Sequence, residues 1–226
     1  REIIIIFYPN FFLLRIFNDN TKIPQKSIIF TLRGPNNTSE TWHTDANAIY
    51  LSTWTHVAVT YSSGEITIFI NGEEQVINLY DGYTEITTAE IPDHSSIPLY
   101  IGNRYDLNRL FAGLIDEVRI WDTVRSNTEI TENILNDLTG TENGLVGYWN
   151  FNEGTGTTAE DVSQNTNDGV ITGAVYSTDL HQIVLASFSS GRYIQLPPYG
   201  VQFTDYSLPQ NSIVSWNWAF GDGTTS

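Results

Sequence analysis

No cysteine occurs in the 226 residues. That excludes disulfides, thiolate metal centres and thiol nucleophiles. It leaves the cellular compartment open, because a large sandwich needs no covalent staple. Methionine is absent as well, and the chain starts at Arg1. The sequence therefore reads as an excerpt of a longer protein. Basic residues are scarce: ten Lys and Arg stand against 26 Asp and Glu, for a net charge of −16. A field of that sign repels phosphate backbones and anionic lipid surfaces, which excludes nucleic acid as a partner. Divalent cations are attracted, although an acidic surface also serves plain solubility. Long apolar runs are missing too. The run at 3–14 is interrupted by Pro9 and Asn10 and ended by Arg15, so it is too short to span a bilayer as a helix. It lacks the basic start and small-residue cleavage site of a signal peptide. It reads as a buried strand followed by a turn, with no membrane insertion.

What is present is aromatic and β-branched. Twelve Tyr, eleven Phe and six Trp suit strands, and they suit sugar-binding surfaces equally well. A hydrophobic fraction of 40% is enough to build a core. The segment 2–10 reads as a strand ended by Pro9 and followed by a loop, and further strands are expected at 27–33, 40–44, 51–61, 65–70, 99–102, 110–121 and 144–152. The segment 51–61 alternates with period two and carries side chains of both kinds on both faces, as a central strand covered on each side does. Asn71-Gly72 closes its hairpin with the 65–70 strand, because both central residues of a type I′ turn need positive φ. Residues 78–98 read as loop. Ser126 with Glu129 forms a capping box, and Ile130, Ile134 and Leu138 recur at four-residue spacing, which predicts a helix running toward Gly140.

Two phrases carry a family resemblance. The first is WTHVAVTYSSGEITIFINGEE at 54–74, and the second is G-x-I-D-E-V-R-I-W at 113–121. Together they resemble the LamG-like jelly-roll domains of the concanavalin A-like lectin and glucanase superfamily. The resemblance implies an all-β, antiparallel jelly-roll β-sandwich over residues 1–178, in which the family's earlier N-terminal strand with its Asp-Gly turn is missing from the sequence. Residues 179–183 read as a linker. VQFTDYS at 201–207 and SWNWAFGDGTTS at 215–226 resemble the first half of a PKD domain, an Ig-like sandwich. Ala219 stands where that motif has its first Asp. Residues 184–226 are thus expected to be a truncated Ig-like PKD segment, poorly ordered in isolation because half a sandwich leaves strand edges unpaired.

The superfamily includes glucanases, which need paired carboxylates about 5 Å apart on one face. The nearest candidates are Asp116 and Glu117, but adjacent strand residues point to opposite faces. Leu114 and Arg119 occupy places where acids would be wanted. No His-Glu-x-x-His, Gly-x-Ser-x-Gly or phosphate-binding glycine loop is found. The chain is read as not an enzyme. Glycan binding calls for exposed aromatics beside amide, acid or Arg groups. The candidates are Trp42 and His43 on a short strand, and Arg104 and Tyr105 in the polar gap at 103–108. Trp54, His56, Trp121 and Trp149 are expected in the core.

The resemblance also implies a structural Ca²⁺ held by Asp116 with backbone carbonyls. Without a metal, Asp116 is expected to pair with Arg119 or a loop amide. A second acidic pattern, Asp161-x-Ser163-x-Asn165-x-Asn167, imitates the start of an EF-hand. Thr166 and Thr172 stand where that loop needs Gly and Glu, so it reads as an Asx-rich surface loop. Asn36-Asn37-Thr38-Ser39 holds overlapping glycosylation sequons, which matter only in a eukaryotic secretory host. The expected function is non-catalytic carbohydrate binding or adhesion, in a secreted or cell-surface multidomain protein, toward a glycan or a surface protein. The alternatives are a structural spacer of a larger hydrolase and, third, a divergent glucanase. The oligomeric state is left open.

Overall fold

Strand β5 (Thr55–Ser62) carries the fold. Six consecutive residues, Thr55 to Thr60, are buried, so both of its faces are covered as the alternation predicts. The computed structural model describes residues 2–7, 12–17, 26–33, 39–50, 52–62, 64–80, 98–103, 110–178, 188–190 and 203–205. The candidates Arg104 and Tyr105 lie outside the described residues, as do the PKD-like phrase at 215–226 and most of 201–207. The chain divides into two units, Arg1–His181 and Gln182–Ser226.

The first unit holds β1 (Glu2–Phe7), β2 (Phe12–Phe17), β3 (Ser27–Arg33), β4 (Ser39–Thr44), β5, β6 (Glu65–Ile70), β7 (Glu73–Glu74), β8 (Ile77–Leu79), β9 (Ile115–Trp121), α1 (Asn127–Asn133), β10 (Leu145–Trp149), β11 (Thr158–Ala159) and β12 (Gly169–Val170). The second holds a short antiparallel pair, β13 (Phe188–Ser190) with β14 (Phe203–Asp205). In the first unit a six-stranded sheet runs β10-β9-β1-β5-β6-β7 and a four-stranded sheet runs β2-β3-β4-β8. Ile28, Phe30 and Leu32 from the smaller sheet pack on Val57, Val59, Ile68 and Ile70 from the larger one. This is an all-β sandwich, with apolar residues at alternate positions facing inward.

The other face of the larger sheet is covered by α1 and the chain that follows it. Ala58, Phe69, Trp121, Leu145 and Tyr148 pack there with Ile130 and Leu138. Helix α1 starts where the capping box predicts. The Ser126 side chain accepts from the Glu129 N–H, and Glu129 reaches back to the Ser126 N–H. It stops after Asn133, with Ile134 as C-cap, so Ile134 and Leu138 are buried from beyond the helix. Their four-residue spacing reports a buried face, not the helix length. The Asn71-Gly72 turn has φ of 51° and 83°, as a type I′ turn requires.

Several boundaries differ from the sequence reading. Arg15 does not end the apolar run: β2 passes through it and pairs with β3 in full register. Residues 99–102 form no strand, because Leu99 and Tyr100 are exposed and only Ile101 packs against the core. The strand expected at 110–121 begins only at Ile115. β1 runs parallel to both its neighbours, β5 and β9, whereas the other strand pairs described are antiparallel. Its unbroken Ile run fits an inner strand of a sheet better than an alternating edge.

Candidate functional site

Strand β4 separates the two residues proposed on it. Trp42 lies opposite Phe30 in the ladder, and their rings are 6.4 Å apart at a tilt of 36°. Its indole is half-buried at the rim of the inter-sheet core. His43, one residue on, faces the other way, as strand alternation demands. The two therefore cannot form one platform.

His43 has different company. It lies directly opposite Asn78 of β8. The Asn78 side-chain amide donates to Asp45 Oδ1 at 3.0 Å, so His43, Asp45 and Asn78 meet at one edge of the smaller sheet. Asp45 and Asn78 are exposed and His43 half-exposed, while Ile29, Thr31 and Thr41 on the same face are buried. The His43 Nδ1 lies 3.0 Å from the Thr44 carbonyl, which only accepts, so Nδ1 is the donor of that bond. The loop that follows β4 is tied back by the Ile49 N–H, which donates to the Lys26 carbonyl. It ends at Tyr50, which is 73% exposed. A carboxylate, an amide, an imidazole and an exposed phenol ring are the groups that orient and stack a pyranose.

Sequence reasoning missed Asp45, Asn78 and Tyr50. Strand β8 has three residues, too few to show a period, and its segment read as loop.

A second polar cluster is buried beneath α1. Glu117 and Arg119, both on β9, form an ion pair, with Glu117 3% and Arg119 2% exposed. The Tyr148 hydroxyl contacts both Glu117 oxygens, at 3.0 and 2.8 Å, and donates its proton to that carboxylate. Arg119 also donates to the Asn133 and Asn136 carbonyls at 2.8 and 2.7 Å, and its guanidinium lies over the Tyr148 ring at 5.3 Å. His56 is nearby and fully buried, and among the described residues neither of its ring nitrogens has a hydrogen-bond partner. Burial, followed by the Arg119 charge, pushes its pKa down to about 3. Burial holds Glu117 above the usual carboxylate range, against the opposing pull of Arg119 and Tyr148. The same setting pushes the Tyr148 phenol up.

Asp116 is not the partner of Arg119; Glu117 takes that place. Asp116 Oδ1 instead accepts the Glu117 N–H at 3.0 Å. Glu117 has φ of 56° and sits in a bulge, where two steps along β1 match three along β9. The extra residue brings Ile115 and Val118, three apart, into one core cluster. No three His, Asp or Glu side chains gather into a metal-binding group among the described residues. A calcium ion at Asp116 would draw its remaining ligands from backbone carbonyls and water.

The Asx-rich loop is saturated by its own chain. Asp161 Oδ1 accepts from the Tyr148 and Ser163 N–H groups and Oδ2 from the Asn167 N–H, at 2.8 to 2.9 Å. The side-chain amides of Asn165 and Asn167 bond the Val146 carbonyl. Burial would raise the Asp161 carboxyl, but these backbone donors outweigh it and hold the group below its ordinary range.

The family model described as the concanavalin A-like lectin/glucanases superfamily matches residues 2–131, from β1 into α1. No curated protein and no solved structure matches the chain.

Proposed function

We propose that this chain, which belongs to the concanavalin A-like lectin/glucanases superfamily, is a non-catalytic carbohydrate-binding module that uses the His43–Asp45–Asn78 edge. The observation that carries the reading is the exposed Asp45–Asn78 hydrogen bond beside His43. Paired side chains of this kind arrive at a ligand already oriented, which lowers the ordering cost of binding. Tyr50, exposed at the end of the loop that follows β4, is the ring we assign to the apolar face of the sugar. Against hydrolysis stands Glu117: its carboxylate is engaged by Arg119 and Tyr148 and shut from solvent. A glycosidase acid or nucleophile must reach the sugar.

The setting we infer is a secreted or cell-surface protein in which several modules act together. One weak site would gain avidity by repetition. A structural Ca²⁺ at Asp116 belongs to the same proposal. Its test is a chelator-induced fall in melting temperature that Asp116→Ala removes.

The binding test is affinity electrophoresis in gels containing laminarin, xylan or galactomannan. Retardation of the native chain is expected. Asp45→Ala and Tyr50→Ala should each reduce it about tenfold, the loss expected for one good polar or stacking contact. Unchanged retardation in both variants would remove this edge as the site.

A further inference from the structure

The edge that holds Asp45 and Asn78 belongs to a stretch of chain with no cation. Between Arg33 and Arg104 the sequence has no Lys or Arg, yet it carries nine Asp and Glu. That stretch supplies β4, β5, β6, β7 and β8. Four of its acids, Asp45, Glu65, Glu73 and Glu74, are exposed. A second such stretch runs from Arg125 to Arg192, again with nine acids and no Lys or Arg between. Basic residues are therefore confined to a few places. Arg119 is buried against Glu117. Arg33 ends β3 six residues beyond Ser27, about 20 Å along the strand from the Asp45 end. Two cations stand closer: Lys26, half-exposed, whose carbonyl accepts from Ile49 of the site loop, and Arg15 on β2, which lies in the same cross-strand row as Ile29, His43 and Asn78, two strands from His43.

We propose that the glycan bound at this edge is uncharged: a polysaccharide of neutral sugars, without uronate or sulfate groups. This rests on the carbohydrate-binding reading above and narrows it. Three features of the edge support it. The group that the Asn78 amide holds at the edge is the Asp45 carboxylate, and a ligand carboxylate or sulfate meeting it faces like charge. The polar partners on offer, the Asp45 carboxylate, the Asn78 amide and the His43 ring, match hydroxyl donors and acceptors. The net charge of −16 also opposes the approach of any polyanion at low ionic strength. A polyanion-binding surface would show the reverse pattern, with Lys and Arg clustered on one face.

The experiment compares the full chain on two sets of probes: laminarin, xylan and galactomannan against alginate, polygalacturonate and heparin. Each is run at about 20 mM and about 500 mM salt, where the screening length changes several-fold. Retention on at least one neutral glycan is expected, with less than a twofold change between the two salts. The three polyanions should give none at either. The Glu73→Lys/Glu74→Lys variant reverses the charge of β7, which belongs to the larger sheet and supplies none of the binding groups. It should gain retention on alginate at low salt and lose it at high salt, with neutral binding unchanged. Retention of the native chain on a polyanion, weakened by Asp45→Ala or Tyr50→Ala, would overturn this proposal and leave the carbohydrate-binding reading standing. Absence of retention on all six probes would overturn both.

Discussion

Glu117 and Arg119, two residues apart on β9, neutralise each other inside the protein while Arg119 holds the carbonyls of Asn133 and Asn136. The sheet is thus fastened to the end of α1 by one guanidinium. Removing either charge leaves the other buried and unpaired, which costs about 3–5 kcal/mol. Arg119→Met and Glu117→Gln should each lose stability on that scale in urea unfolding. The double variant Glu117→Leu/Arg119→Met should lose less than the sum of the single losses. Additive losses would mean the two side chains do not act as a pair.

His56 makes acid unfavourable to the fold. Its ordinary pKa of 6.5 falls to about 3 in the folded chain, so between those values the unfolded chain binds a proton that the folded one refuses. Stability is fully present above pH 6.5 and declines as pH falls toward 3, by at most about 1.4 kcal/mol per unit from this group. Glu117 works in the opposite sense. Its folded pKa lies above 4.5, so its contribution improves as pH falls toward that value. Melting temperatures from pH 7 to pH 5 should therefore decline for the native chain, and His56→Leu should flatten the slope. An equally steep slope in His56→Leu would show that this imidazole is not the sensor.

Asp161 acts as a structural acid. Three N–H groups depend on its carboxylate. Asp161→Ala should destabilise by about 2–4 kcal/mol, since each unpaired buried donor costs roughly 1–3 kcal/mol and part of the loop can rehydrate. Its depressed pKa adds stability above pH 3.8 that is lost as pH falls below it. Calcium should not rescue the variant, and recovery of its melting temperature in millimolar Ca²⁺ would overturn this account.

Gly140 is fixed by its surroundings. Its φ is +83°, and a Cβ there would lie 2.1 Å from the Val162 carbonyl oxygen. Gly140→Ala should cost more than the roughly 1 kcal/mol of left-handed strain alone, because backbone must also move. Gly154→Ala is the control: its φ is +69° but nothing lies within 4 Å. Comparable losses in chemical denaturation of both variants would contradict the packing argument.

The hairpin of β5 and β6, the capping box of α1 and the all-β class were legible because each rests on local signals: alternation, an Asn-Gly pair, a Ser and a Glu three apart. Trp54, His56, Trp121 and Trp149 are buried as expected. Glu117 and Arg119 could also have been paired from sequence, since two positions on a strand share a face; Asp116 drew attention away. The His43–Asp45–Asn78 edge was not legible. It depends on the register of β8 against β4, which joins residues 33 positions apart through a three-residue strand.

Strand β1 sits in the middle of the larger sheet, yet comes first in the chain. Its partners lie roughly 50 and 110 residues downstream, so its hydrogen bonds close long loops, the longer of them the longest among the described strand pairs. In the native order the strand stands between β5-β6-β7 and β9-β10, and its pairing is the one that local hairpin formation does least to speed. A nascent chain leaving the ribosome would hold the Ile run at 3–6 without its partners until β9 has been made, an interval in which that run needs protection from pairing with other chains.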